Sequence, residues 1–401
     1  MIERTEYLEQ LKAFKDKDLI KVVTGIRRCG KSTLFDLFID YLKKMGVKDE
    51  QIIKINLEDP DYNFVNYKDF YDFVNGKITK DKKYYVFLDE VQTVPLFQKA
   101  VDGLYIKKNV DVYITGSNAY LLSGELATLL SGRYVEIKML PLSFKEYLSN
   151  FDNKEKSRYE YFLDYMKIGG MPGNLSIIRD DVNRLDMYLE GIFTTVVYKD
   201  IMARNNISDK MLIESILKFI FDSIGSPIST KKISDTLTSK GLSTSNHTVE
   251  NYISAFLDSY LIYKAERFDV KGKNLLVRDY KYYVVDQGLR SYLLGKRADS
   301  DMGHILENIV YLELLRRGHT VYVGKVDDLE IDFVAQNRDG LRYYQVALSV
   351  RDEKVLEREL RSLQRTGDHY PKYLLTLDMD LRADYEGITK INVVDWLLNG
   401  E

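Results

Sequence analysis

Residues Gly25-Ile26-Arg27-Arg28-Cys29-Gly30-Lys31-Ser32 follow the spacing G-x-x-x-x-G-K-[ST], with Thr33 next. Glycines at both ends let such a loop curl until its N–H groups point inward. The helix that the loop opens adds positive potential at its N-terminus, so the pattern suits phosphates. Lys31 would then reach the β- and γ-phosphates of ATP, and Ser32 would ligate Mg²⁺. Ile26, Arg27, Arg28, Cys29 and Thr33 complete the wall. One of the two arginines would touch nucleotide or a neighbouring subunit, the alternative being that both are solvated loop arginines, while Cys29 is a filler without chemistry of its own. Downstream, Tyr85-Val86-Phe87-Leu88 ends in Asp89-Glu90. A buried strand ending in two carboxylates would hold Mg²⁺ through water at Asp89 and orient or deprotonate the attacking water at Glu90. Thr115-Gly116-Ser117-Asn118 ends a further strand. Ser117 and Asn118 would read the γ-phosphate or hold the water; a plain strand-ending turn is the equal alternative. Arg133, after Ser131-Gly132, would serve as an arginine finger across a subunit interface, which implies a homo-oligomer; otherwise it is a surface arginine.

These residues need a scaffold, and the pattern supplies one. Strand-like runs Leu19–Thr24, Ile52–Leu57, Tyr84–Leu88, Val110–Thr115 and Tyr134–Lys138 alternate with amphipathic segments such as STLFDLFIDYLKKM. Near-continuous apolar strands between helices predict an α/β fold with a mostly parallel sheet covered on both faces. Residues 1–140 form this core. Residues 141–205 read as helical, broken by an elbow at Gly169-Gly170-Met171-Pro172-Gly173. Residues 206–300 give three helices and a hairpin around Lys271-Gly272-Lys273, the order of a winged helix-turn-helix. Residues 301–401 begin with one long helix and continue as short strands and a charged helix.

The full chain has 401 residues and a formal charge of −3. Divided along the sequence, residues 1–205 carry 31 basic and 31 acidic side chains, 206–297 carry 14 and 10, and 298–401 carry 13 and 20. The middle segment is the basic one, so near-neutrality excludes nothing about nucleic acid. One cysteine excludes an internal disulfide and a cysteine-built zinc site. The start has no apolar signal segment, and no apolar run reaches the roughly 18 residues needed to span a bilayer. The chain is expected to be soluble and cytoplasmic, with no membrane partner.

Residues 1 to about 205 resemble an AAA+ superfamily P-loop ATPase with a helical lid. More narrowly, KVVTGIRRCGKSTL, LDEVQ, ITGSNAYLLSGELATLLSGRYVEIKMLPLSFKEYL and the GGMP elbow resemble a prokaryotic ATPase family with a C-terminal domain of unknown function. The resemblance spans nearly the whole chain and implies ATP, Mg²⁺ and an AAA+ core.

In the basic segment the third helix offers Asn246, His247, Thr248, Glu250 and Asn251 without lysine or arginine, a poor set for phosphates. The positive charge lies at Lys231, Lys232 and Lys240 and along the wing at Lys264, Arg267, Lys271, Lys273, Arg278 and Lys281. A wing-led contact, chiefly through Lys271, Lys273 and Arg278, would be salt-sensitive and indifferent to sequence. The alternative is a protein clamp.

Residues 301–401 resemble the PD-(D/E)xK nuclease-like fold. Glu307, Asp332 and Gln345 take the metal-site positions, but Ala347 stands where the lysine should be. The expectation is therefore a nuclease-like fold without cleavage, with a residual cation site or a polar core at Glu307, Asp332 and Gln345. The leading function is an ATP-driven switch or motor, binding ATP and ADP and acting on nucleic acid. The alternatives are a nucleotide-gated module for a protein partner and, third, a metal-dependent nuclease.

Overall fold

A computed structural model describes residues 2–119, 130, 132–151, 155–180, 184–295, 301–380 and 382–400. Positions 179–180 and 277–279 are described in backbone only. Ser131, the 120–129 portion of the family stretch and the Arg278 side chain therefore lie outside the described residues. The chain divides into two compact units, one of residues 1–140 with 258–260 and one of residues 141–257 with 261–401.

The first unit is built on a five-stranded sheet, β1 (Ile20–Thr24), β2 (Ile52–Asn56), β3 (Tyr84–Asp89), β4 (Val110–Gly116) and β5 (Tyr134–Lys138). Every pairing is parallel, in the order β2-β3-β4-β1-β5. The expected strands match these to within a residue at either end. Alternation of side chains puts the two faces to different use. Phe87 and Tyr113 face helix Lys31–Lys44, where Phe35 lies 5.2 Å from Phe87 and Phe38 lies 5.2 Å from Tyr113. Val86, Leu88, Val112 and Ile114 face the other way and share a core with Phe70, Val74, Val101 and Leu104 of helices Tyr67–Asn75 and Phe97–Tyr105. Aromatic packing of helix Lys31–Lys44 against β3 and β4 fixes its N-terminus at the carboxyl edge of β1.

The second unit opens with helices Phe144–Leu148, Arg158–Ile168, Pro172–Asp180 and Leu185–Thr194. The first two begin with capping boxes, Ser143 with Glu146 and Ser157 with Glu160. At the elbow between the second and third, Gly170 N–H donates to buried Asp286 at 2.6 Å. Helices Lys210–Asp222, Thr230–Ser239 and Asn246–Asp258 follow, with β6 (Pro227–Ile228) between the first two. The hairpin β7 (Ile262–Asp269) and β8 (Asn274–Val284) comes next. After helices Gln287–Leu294 and Met302–Arg316 come β9 (Thr320–Val326), β10 (Leu329–Asn337), β11 (Gly340–Ala347), β12 (Lys372–Thr376), β13 (Ala383–Tyr385) and β14 (Ile388–Asn392).

Segments 206–300 and 301–401, expected as separate units, share one nine-stranded sheet, β13-β14-β12-β11-β10-β9-β7-β8-β6. The join is the parallel pairing of β7 with β9, from Glu266 opposite Tyr322 to Asp269 opposite Lys325. Composition shifts near residue 300, but the hydrogen-bond ladder runs on. Local pattern does not show which edge a strand will choose. Among the described residues no helix is long and apolar enough to cross a membrane.

Candidate active site

The cradle leaves the carboxyl edge of β1. Gly30 caps the following helix with φ 103°, a left-handed conformation that glycine adopts without steric cost. At Gly25 a Cβ would lie 2.1 Å from the Met139 carbonyl oxygen, so the backbone can pass there only without a side chain. Ile26 and Cys29 are buried in the wall, Arg28 is exposed with φ 69°, and Ser32 is exposed on the first turn of the helix. Burial pushes the Cys29 thiol up, which suits a filler without chemistry.

Lys31 is only 4 % exposed. Its ammonium donates to the Gly25 and Ile26 carbonyls at 3.0 and 3.2 Å and lies 3.5 Å from Glu90 Oε1. Asp89 ends β3, buried, and accepts a hydrogen bond from the Thr115 hydroxyl. The same hydroxyl accepts from Glu90 N–H at 2.9 Å, so one β4 side chain ties down both acidic residues. Glu90 Oε2 accepts from the Gln92 amide at 2.5 Å, and that amide also lies 3.4 Å from Ser117 Oγ. Burial alone would raise the Glu90 carboxyl, but the Lys31 charge and the Gln92 hydrogen bond outweigh it and leave its pKa below the usual range. Because β4 pairs with both β1 and β3, buried Ser117 and Asn118 emerge at the same carboxyl edge.

Two sequence assignments come out differently. Arg27 is committed to Glu58 by a two-pronged ion pair, 2.9 Å at each prong, so its guanidinium holds the loop to the segment after β2. Arg133 lies at the opposite edge of the sheet. Its carbonyl accepts from Ile20 N–H at 2.8 Å, beside the start of β1, and its guanidinium pairs with Asp102 at 2.6 Å. The length of β1, at ~3.3 Å per residue, keeps it out of its own cradle. A residue that precedes a parallel strand belongs at the amino edge, and the sequence already carried that signal.

Sequence reasoning missed the other supports. Buried Arg4 donates to the Cys29 carbonyl at 3.0 Å and to the Leu140 carbonyl at 2.6 Å, and Tyr7 Oη accepts from Leu140 N–H at 3.1 Å. Arg4 and the helix it precedes, Thr5–Phe14, thus brace the cradle and the segment after β5, more than a hundred residues further along the chain. No local pattern could reveal it.

The second unit brings Glu307, Asp332 and Gln345 together around a cavity of about 590 Å³. A residue not anticipated there is Lys281 of β8, whose ammonium lies 3.1 Å from Glu307 and 2.7 Å from Glu330. Tyr283 also donates to Glu307, at 2.7 Å. Asp332 accepts from Val346 N–H at 2.8 Å, and the Gln345 amide donates to Glu359 at 2.9 Å. Burial first and the Glu307 charge second raise Asp332 well above the carboxylate range, despite Lys281. A lysine from a strand of the preceding segment thus holds two of the acids that line this cavity. No group of three or more His, Cys, Asp and Glu among the described residues has metal-site geometry. Along the hairpin, Lys271 is paired with Asp327 at 2.7 Å and Lys264 with Glu266 at 3.0 Å, whereas Lys273 is exposed.

Residues 17–148 match the family described as AAA domain, and residues 159–300 match a domain of unknown function, DUF8612. An uncharacterized protein of Haemophilus influenzae is 42 % identical over 402 residues, covering 99 % of both chains. An uncharacterized protein of Methanocaldococcus jannaschii is 30 % identical over 400 residues, covering 94 % of this chain and 85 % of its own. Among solved structures, a Walker-type ATPase of Pyrococcus abyssi aligns with TM-score 0.49 and 16 % identity, over 73 % of this chain and 96 % of its own. The Aeropyrum pernix ORC1 protein, solved in complex with DNA, aligns with TM-score 0.33 and 14 % identity, over 75 % and 94 %.

Proposed function

This chain belongs to the family of the Haemophilus influenzae and Methanocaldococcus jannaschii proteins and opens with an AAA domain, and from that premise we propose that it hydrolyses ATP with Mg²⁺ as a conformational switch. The observation that carries the proposal is the convergence of Lys31, Asp89, Glu90, Ser117 and Asn118 at one carboxyl edge, where ligands bind in parallel sheets of this kind. Exposed Ser32 and the Asp89 carboxylate are hard oxygen donors, the set Mg²⁺ prefers. Bound there, Mg²⁺ supplies charge neutralisation on the phosphate oxygens.

The chain's own groups divide the rest of the work. Loop N–H groups take the phosphates, and Lys31 exchanges its two carbonyl acceptors for phosphate oxygens. Glu90 takes a proton from the attacking water, with its backbone aimed by Thr115. Ser117 and Asn118 orient the terminal phosphate. Arg133, remote from its own cradle, serves only a neighbouring subunit's site if it serves any. The test is turnover of ATP by the full chain beside Lys31→Ala and Glu90→Gln. Hydrolysis by the wild type alone supports the proposal, and equal rates in all three sink it.

The winged-helix reading of residues 206–300 leaves two classes of partner. Pairing of Lys271 and Lys264 and burial of Lys281 withdraw much of the wing's positive charge, which favours a protein partner gated by nucleotide. Nucleic-acid contact would fall to Lys231, Lys232, Lys240 and Lys273, all exposed. Residues 301–401, read as nuclease-like, carry no proposed cleavage, because Ala347 stands where the lysine should be and Lys281 is held by Glu307 and Glu330.

A further inference from the structure

We infer that Gln92 is the positioning residue for Glu90, and that it takes over this task alone once ATP draws Lys31 away. This role presupposes the ATPase reading and deepens it. Glu90 has φ 53°, a left-handed backbone that a glutamate adopts only when its surroundings dictate it. Its carboxylate has two neighbours on opposite oxygens, Lys31 at 3.5 Å from Oε1 and the Gln92 amide at 2.5 Å from Oε2. Lys31 is the exchangeable one. Its hydrogen bonds go to loop carbonyls, and phosphate oxygens are stronger acceptors for an ammonium. When the ammonium turns to the phosphates, Oε1 loses its nearest charge and is left to receive the water's proton. Among the described residues, the Gln92 amide is then the hydrogen-bond donor that keeps the carboxylate from rotating.

The Gln92 side chain is placed for this bond rather than for burial. Its Oε1 is buried with no hydrogen-bond partner among the described residues. An unpaired buried carbonyl is destabilising, so packing alone would favour a hydrocarbon here. Turning the amide over would bring two oxygens together, which fixes the N–H side on Glu90. The second contact, to Ser117 Oγ at 3.4 Å, ties the amide to the end of β4. Gln92 thereby links the residue that would activate water to the residue that would read the γ-phosphate.

The test compares wild type, Gln92→Ala, Gln92→Leu, Ser117→Ala and Glu90→Gln as full chains. Steady-state ATP hydrolysis is followed across pH, and nucleotide affinity is read with a fluorescent ATP analogue. Both Gln92 variants should lose about tenfold or more in kcat with KM for ATP and analogue affinity little changed. Ser117→Ala should lose kcat in the same way but by less. Unchanged analogue affinity shows that a variant has folded, and Gln92→Leu keeps the packing. Wild-type kcat in Gln92→Leu, beside an inactive Glu90→Gln, would overturn the role of Gln92 alone. A wild type no faster than Glu90→Gln would overturn the ATPase reading and this role together.

Discussion

Each unit of this protein buries a lysine against a glutamate, and the two pairs are built for opposite purposes. Lys31 sits on a loop, holds two backbone carbonyls and approaches Glu90 no closer than 3.5 Å. Lys281 sits in mid-strand, 3.1 Å from Glu307 and 2.7 Å from Glu330, with Asp332 close enough to raise its affinity for the proton. Burial opposes that rise, but the acids prevail. The first lysine has partners it can trade for a ligand's oxygens. The second has partners it cannot leave without stranding charge in the protein. Burial and ion pairing by themselves therefore do not mark a reactive lysine; what matters is whether its partners can be exchanged.

Substitutions can break this contrast or sharpen it. The largest effect is expected at Lys31. Lys31→Ala should cut ATP turnover by about 10³-fold or more while thermal melting moves little, since neutral carbonyls tolerate the loss. A large fall in melting temperature would show that Lys31 is as structural as Lys281. Next comes Lys281→Met, which leaves Glu307 and its acidic neighbours unbalanced. It should cost about 3 kcal/mol in denaturant titration while the first unit still binds nucleotide. A neutral result would make the second pair as exchangeable as the first.

Asp286 extends the contrast to a buried acid that accepts hydrogen bonds from backbone N–H groups, including those of Gly170 and Leu289. Burial raises its pKa to about 6, which those hydrogen bonds only partly oppose. A raised folded-state pKa means that its contribution to stability is full below about pH 4 and declines as pH rises through about 6. Asp286→Asn should remove that decline, a difference of about 2–3 kcal/mol between the two pH limits. Identical pH–stability curves for the two proteins would refute it. The smallest effect belongs to the exposed pair. Lys271→Ala breaks the contact with Asp327 and should cost under about 1 kcal/mol, with no change in the salt slope of any DNA binding.

Legibility in the sequence followed the range of each interaction. The cradle, Asp89 and Glu90 were readable because a loop, its strand and its helix are contiguous, and apolar runs announce the strands. Thr115 was visible as a polar strand end, but not as the anchor of both acids, since that needs the β3–β4 neighbourhood. Arg4 and Lys281 were beyond reach. Arg4 meets Leu140 across the whole first unit, and Lys281 of β8 meets Glu330 of β10 only because the pairing of β7 with β9 puts both strands in one sheet. Arg133 was legible in part. Its residue type suggested a finger across a subunit interface, and its position before a strand puts it at the amino edge, away from its own cradle.

The pairing of β7 with β9 bears on how the protein can be divided. A chain ending near residue 300 would keep β7 but lose the strand that covers it, leaving a row of unpaired N–H and C=O groups. Such an edge recruits the same segment from other copies. The composition break near residue 300 is thus a poor place to cut or fuse this chain, and fragments made there should aggregate rather than behave as domains.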